Sequence, residues 1–292
     1  MSKEKIFRAG KIAAEAKEYA RKIIKKGMFL LEIADKVEGK IIELGGKPGF
    51  PLNLSVNDEA AHYTPSYNDT KIAEGLLKVD LGVHVDGFIA DTAFSLDLEN
   101  SEVNKKLIEA AKAALENAIK TAKINTEVGK IGKAIQETIK SRGFSPIVNL
   151  GGHGITRYEV HSGIMIPNID NKSKNKLEEG QYAIEPFATN GNGKIHDGKP
   201  SGIYELRSEK NIRSSVAREV LEFIINEYKT LPFCSRWLVR KIGTKALIGL
   251  KQLEENGNLY HHPVLVETSK GIVAQAEHTI LIEKDKTTVT TE

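Results

Sequence analysis

One cysteine, Cys234, in 292 residues leaves no partner for an internal disulfide and suits a reducing compartment. It sits in the apolar run LPFCSRWL, where a small packed side chain is the plain reading and a nucleophile is not. No window approaches the roughly 18 consecutive apolar residues of a membrane span, and the N-terminus is a charged helical pattern without a signal-peptide apolar core. Neither sign of charge is in excess: 42 basic residues face 39 acidic ones, and most lysines alternate with glutamates on helices, as on a solvated face. Nothing here argues for a nucleic-acid partner or a membrane span, and the pattern points to a cytoplasmic globular protein. With 40% apolar residues the chain can bury one large core or two modest ones.

Into this ordinary background falls one unusual stretch, Leu76 to Leu96, LLKVDLGVHVDGFIADTAFSL. It reads as two apolar strands joined at Asp86-Gly87, a pair that favours the positive φ of a tight hairpin turn. With those two residues as the loop, Asp80 lies opposite Ala93 and Asp91 opposite Gly82, so the two carboxylates become diagonal neighbours on one face. Buried unpaired anions cost several kcal/mol or take up protons. Two explanations stand at this point: a surface acid beside a strand-end acid paired with lysine, or a site for divalent cations.

The rest of the chain bears on that choice. Lys3 to Lys26 and Phe29 to Leu44 read as amphipathic helices closed by glycines, followed by a turn-rich segment containing His62. After the hairpin, Ser101 opens a helix running to about Lys123, and Thr126 to Ser141 is the next. PIVNL reads as a strand leading to GGHGI with His153, then YEVHSGIMIP with His161. GQYAIEPFAT reads as one strand centred on Glu185. Glu74-Gly75 precedes LLKV and Asp80, while Glu179-Gly180 precedes QYAI and Glu185. The repeated order of helix, helix, glycine-flanked strand, His-bearing loop and acid-bearing strand implies a duplication of two halves around a pseudo-twofold. Gly191 to Lys210 reads as a polar loop excursion. Helices over Asn211 to Tyr228 and Thr244 to Glu255 and a strand at Pro263 to Thr268 suggest a winged-helix-like insertion. IVAQAEHTILIE is expected as one final strand carrying Glu277.

Asp80, Asp91, His153, Glu185 and Glu277 form a hard, oxygen-rich donor set suited to a pair of divalent transition ions, with positions left for water and substrate. That is hydrolytic chemistry. His62 and His161, each in a turn-rich loop near its acid-bearing strand, are candidate neutral donors or proton shuttles. His84, His261 and His278 are assigned no role.

NDEAAHYTP, KVDLGVHVDGFIADTAF, GGHGI, YEVHSG, AIEPFAT and AQAEHTILIE together resemble the motifs of the methionine aminopeptidases. YKTLPFCSRWL and the long insertion before the last strand resemble the type II enzymes, short archaeal forms in particular. The resemblance covers about Lys3 to Glu283. It implies an α+β fold, the duplicated "pita-bread" arrangement shared with prolidases and creatinases, with a central antiparallel sheet flanked by helices. The catalytic domain would span 1–190 and 269–292, with a helical insertion subdomain at 191–268.

By the same resemblance Asp80 is a terminal ligand of one ion, His153 and Glu185 hold the other, and Asp91 and Glu277 bridge both. The ions would be two of Co, Mn, Fe or Zn. Glu185 is the proton shuttle. His62 and His161 touch the substrate, and Phe50 and His196 line the methionine pocket. The family's pocket often has a tyrosine near the position of His262, so a histidine changes that wall. The implied reaction removes the initiator methionine from nascent chains with a small second residue, in a monomer, with docking to the ribosome left open. Two alternatives are a prolidase-like dipeptidase of the same fold and a non-catalytic RNA- or ribosome-binding homologue.

Overall fold

The computed structural model describes residues 2–292. Two helices open the chain, α1 (Lys3–Ile23) and α2 (Leu30–Glu43). Their buried residues, Ile6, Ala9, Ile12, Ala13, Ala16 and Ala20 in α1 and Leu30, Ile33, Ala34, Val37 and Ile41 in α2, recur at three and four residues and so form one stripe per helix. Strands β1 (Lys47–Val56), β2 (Glu59–Ala61), β3 (Leu76–Val85) and β4 (Phe88–Asp97) follow. Leu77, Val79, Leu81 and Val83 of β3 meet the helical stripes in one core, which turns the alternate residues, Asp80 and Gly82, to the opposite face. The hairpin register is as expected from the turn: Val85 pairs Phe88, Asp80 pairs Ala93 and Gly82 pairs Asp91. Asp86 and Gly87 have φ of 51° and 84°, the positive values that the tight turn demands.

The second half repeats the plan. Helix α3 (Glu102–Thr121) is capped by the Ser101 hydroxyl, which accepts from the Asn104 amide at 3.4 Å. Helix α4 (Val128–Lys140) comes next, then β5 (Ser145–Pro146), β6 (Gly151–Thr156), β7 (Glu159–Pro167), β8 (Gly180–Ile184) and β9 (Phe187–Thr189). The excursion contributes β10 (Ile195–Leu206), α5 (Ser215–Glu227), β11 (Phe233–Cys234), α6 (Ser235–Ile242), α7 (Lys245–Glu255) and β12 (Leu259–Glu267). The chain ends in β13 (Val273–Gln275), β14 (His278–Glu283) and β15 (Lys286–Val289). One sheet has the order β1-β3-β4 and another contains β6-β8-β14, all antiparallel. In both, the strand that follows the Glu-Gly pair lies in the middle. The duplication therefore extends from a two-residue identity to strand order.

Hydroxyl side chains stitch the halves together along β4. The Thr92 hydroxyl donates to the Glu277 carbonyl at 2.9 Å, and that of Ser95 to the Gln275 carbonyl at 2.8 Å. The Asp91 amide donates to Thr279 Oγ1 at 2.8 Å, and the Glu277 amide to the Ala93 carbonyl at 3.0 Å. Asp91 and Glu277 thus meet at the seam.

Several elements depart from the sequence expectation. GQYAIEPFAT is two strands, not one: β8 pairs with β6 and β14, whereas β9 pairs with β13 and β5. Pro186 has no amide to continue the ladder, and Glu185 lies at the break. The final strand also divides, because the Glu277 amide leaves the ladder for Ala93. Only the first residue of PIVNL lies in a strand, β5; beyond it Ile147 and Val148 donate to the Phe187 and Gly193 carbonyls at 3.0 and 2.8 Å, and the Asn149 side chain bonds the backbone of Ile195 in both directions, at 3.0 and 2.9 Å.

The expected polar loop at Gly191 to Lys210 holds the twelve-residue β10. Its exposed run His196–Pro200 hid the strand, while Ile203 and Tyr204 are buried against β12 and β11. LPFCSRWLV is likewise a short strand and helix α6. Helices α5 to α7 have their own apolar core, with Val220, Ile224, Phe233, Leu238 and Leu250 inside, and β12 pairs onward with β2.

Candidate active site

A cavity of about 210 Å³ opens where the two halves and the β10–β12 ladder meet. Its floor carries Asp80 from β3, Asp91 from β4, His153 from β6, and Glu185 and Glu277 from the two strand breaks. All five residues picked from sequence as a donor set line this one space. Asp91, His153 and Glu277 are buried and offer donor atoms within 4.8 Å of one another. Glu185 Oε1 lies 3.6 Å from His153 Nε2, and Asp91 Oδ2 lies 3.8 Å from it.

The electrostatics of this floor are unbalanced. Burial pushes the Asp80 carboxyl up to about 7. It raises Asp91, Glu185 and Glu277 well above the carboxylate range, and the neighbouring carboxylates reinforce the effect. Burial, with the His161 ring adding to it, lowers His153 to about 3, so it is neutral. Its Nδ1 points at the Gly154 carbonyl, 3.2 Å away, which makes Nδ1 the protonated nitrogen and aims the Nε2 lone pair at two carboxylates. Lone pairs facing each other across 3.6–3.8 Å are an arrangement that a cation between them satisfies.

Asp80 Oδ1, Asp91 Oδ1 and both oxygens of Glu277 are buried without a hydrogen-bond partner, a costly state unless a metal takes them. The residues present therefore fit divalent metal. Sequence reasoning passed over Gln275, whose amide spans Asp80 and Glu185 at 3.5 and 3.4 Å and so ties one acid from each half; its place two residues before Glu277 was the available signal.

The walls hold the other candidates. His62 follows β2 with φ of 66°, a conformation a non-glycine residue keeps only when its surroundings enforce it. Its Nδ1 is buried and unpartnered, and burial, aided by His262 and His161, lowers its pKa to about 3. His161 stands exposed at the mouth with its ring edge-on to His153, the centroids 4.3 Å apart. Phe50 lines the cavity, and there is room for it because its register partner is Gly82, where a Cβ would come within 2.4 Å of the Phe50 ring.

His196 does not join them. It is exposed on β10, and the residue β10 presents to the cavity is Ile203. The segment reads as a loop from its exposed polar run, and the alternation that selects Ile203 belongs to the strand β10. His262 of β12, at the position where the family's pocket often has a tyrosine, also lines the cavity. Cys234 is buried and free, its thiol pushed up to about 12 by burial, as a packing residue should be.

Such a centre, hard ligands on a duplicated antiparallel frame, defines a metal-dependent hydrolase, and comparison with known proteins specifies it. The profile described as "Metallopeptidase family M24" matches residues 4–284. A methionine aminopeptidase of Pyrococcus abyssi is 50% identical over 297 aligned residues, covering 100% of this chain and 100% of that protein. A crystal structure of methionine aminopeptidase from Thermotoga maritima superposes with a TM-score of 0.72 at 25% identity, over 100% of this chain and 98% of that one. The structure of a thermophilic Arx1 reaches a TM-score of 0.86 over 98% of this chain and 89% of that one; at 16% identity the likeness is one of fold alone. The chain belongs to the methionine aminopeptidases of metallopeptidase family M24.

Proposed function

We propose that this protein removes the initiator methionine from protein N-termini whose second residue is small, using two divalent ions held by Asp80, Asp91, His153, Glu185 and Glu277. The observation that carries the reading is the floor of the cavity: five donors from both halves line it, and oxygens of Asp80, Asp91 and Glu277 are buried there without a partner. When bound, the ions supply Lewis acidity toward the scissile carbonyl and a water of lowered pKa. Asp80, Asp91, His153, Glu185 and Glu277 would hold the ions, with Asp91 and Glu277 at the seam between the halves.

Glu185 takes the proton of the attacking water and returns it to the leaving amine. His62 and His161 hydrogen-bond the substrate amide and the charge that develops on its carbonyl. Phe50 and Ile203 form the apolar pocket for the unbranched first side chain, and the small volume excludes bulk beyond it. A cavity wall discriminates by about 1–3 kcal/mol per methylene, so a norleucine-like mimic is accepted.

The whole donor set comes from one chain, which suits a monomer, and the lone buried cysteine suits the cytoplasm. We read 191–268 as an inserted subdomain within a catalytic domain of 1–190 and 269–292, supported by the separate apolar core of α5 to α7. Which of Co, Mn, Fe or Zn serves is a matter of availability as much as of affinity.

The test is methionine release from Met-Ala-Ser, alongside cleavage of Gly-Pro, by metal-stripped protein before and after Mn²⁺ or Co²⁺. Metal-dependent cleavage of the first alone, lost in Glu185→Gln, is expected; cleavage of Gly-Pro in its place would move the protein to the dipeptidases.

A further inference from the structure

The polar groups around the cavity fall into two sets. The floor set is the donor cluster. The second set stands on the wall that the β10–β12 ladder supplies: His262, with Glu205 and Arg207 behind it, facing His62 and His161. None of the roles assigned so far uses His262, Glu205 or Arg207, yet an apolar pocket wall needs none of them.

Their arrangement is built with some care by the backbone. A bulge at Ser201-Gly202 interrupts the β10 register between Pro200 and Ile203, and Gly202 adopts φ of 80° to make it. Beyond the bulge Ile203 pairs with His262, and Glu205 with Tyr260. Ile203 and Glu205 then share the β10 face that the His262 ring meets, and Arg207 follows just past the end of the strand. The Ser201 hydroxyl donates to the His262 carbonyl at 2.6 Å and fixes its backbone.

The His262 ring is held on three sides. Its Nε2 lies 3.3 Å from Glu205 Oε2, and the Tyr260 ring packs edge-on with centroids 4.8 Å apart. The third neighbour is the His62 ring, edge-on at 5.6 Å and 81°. Arg207 closes the chain, 3.3 Å from Glu205 and with its guanidinium over Tyr260. Burial works to raise the Glu205 carboxyl, but the His262 bond and the Arg207 charge outweigh it and hold it low. Glu205 is therefore an ionised acceptor, which makes Nε2 the protonated nitrogen of His262 and selects one orientation of a ring whose own torsion is soft.

His62 is the group in need of such support. It follows β2 on a left-handed backbone, its Nδ1 has no partner, and His262 is the aromatic ring packed against it among the described residues. The Pro263 carbonyl, on the same strand, is its other β12 neighbour.

We propose that His262 is a positioning residue for His62: Arg207 and Glu205 orient the His262 ring, and that ring sets the His62 imidazole against the substrate. The proposal rests on the aminopeptidase reading for its consequence in turnover, but the contact itself is a property of the free protein. It makes the β10–β12 ladder part of the catalytic geometry and not only a wall of the pocket.

The experiment uses the full chain and four variants: His262→Phe, which keeps a ring but loses the bond to Glu205; Glu205→Gln, which keeps the shape but loses the charge; His62→Ala; and His62→Ala with His262→Phe. Each is assayed with Mn²⁺ and Met-Ala-Ser. His262→Phe and Glu205→Gln should each lower kcat about tenfold, the range seen when a supporting residue is lost, with KM within about twofold. The double variant should be no slower than His62→Ala alone, since both act through one group. In parallel, the His62 imidazole ¹⁵N resonances of metal-free protein should shift in both His262→Phe and Glu205→Gln. A rise in KM with kcat unchanged would make His262 a plain pocket wall and overturn the proposal, as would multiplicative losses in the double variant or His62 resonances that do not move. If the unsubstituted protein releases no methionine, the aminopeptidase reading fails, and the ¹⁵N shifts decide the contact by themselves.

Discussion

Asp91 concentrates the chemistry of the site in one carboxyl. Without metal, burial and the Asp80 and Glu185 charges keep it protonated well above the usual carboxylate range. An unfolded aspartate loses its proton near pH 4. Between that pH and the folded pKa the native chain binds more protons than the unfolded one, so stability falls as pH rises. Asp91→Asn has no proton to lose. In EDTA its melting temperature should exceed that of the parent by a margin that grows as pH rises above about 4, and in excess Mn²⁺ the order should reverse because a charged ligand is missing. Thermal melts across that range check it; a flat difference in EDTA would contradict the burial argument. A second pair of residues separates pocket from surface. Ile203→Phe should raise KM for Met-Ala-Ser at least about tenfold by overfilling a small cavity, whereas exposed His196→Ala should leave kcat/KM within about twofold, as surface changes usually do.

Among the elements, α6 does the most to fix the excursion in place. Arg236 is wholly buried and forms a bidentate pair with Glu38 of α2 at 2.7 and 2.8 Å, while its Nε donates to the Pro65 carbonyl at 3.1 Å. Trp237 donates to the same Glu38, and Arg240 pairs with Asp35. Removing one partner strands a buried charge, so Arg236→Met should cost about 3–5 kcal/mol, read as a lower urea midpoint at constant slope. Arg236→Met with Glu38→Leu should recover much of that loss. None of this was legible beforehand, because FCSRWL carries no strand or helix signal strong enough to place Arg236 opposite a helix some two hundred residues away. The hairpin was legible to the residue, since Asp86-Gly87 fixes the turn and a period of two fixes everything after it. The failures have a common form. Glu185 and Glu277 lie where a ladder breaks to change sheets, and an apolar run looks continuous across such a break. His196 was misplaced for the converse reason: an exposed strand edge reads as a loop, and without the strand there is no alternation to choose Ile203.

At the scale of the molecule the donor set divides between the halves. Asp80 and Asp91 belong to the first, and His153, Glu185 and Glu277 to the second, with the Thr92, Ser95 and Thr279 hydroxyls closing the seam. Each half also has a core of its own, one under α1 and α2 and one under α3 and α4. Without metal, the carboxylates crowd one another at the line where the halves meet; with metal, the same groups become the bond between them. Binding should then do more than add the roughly 2.7 kcal/mol that mass action gives at a hundredfold excess over Kd. It should make two cores unfold as one. In calorimetry the ratio of van't Hoff to calorimetric enthalpy should move toward unity when Mn²⁺ is added to stripped protein, and hydrogen exchange of the β3–β4 and β8–β14 amides should slow together. A higher melting temperature with an unchanged enthalpy ratio, or protection gained in one half alone, would mean that the seam is already rigid without metal and that the ions only fill it.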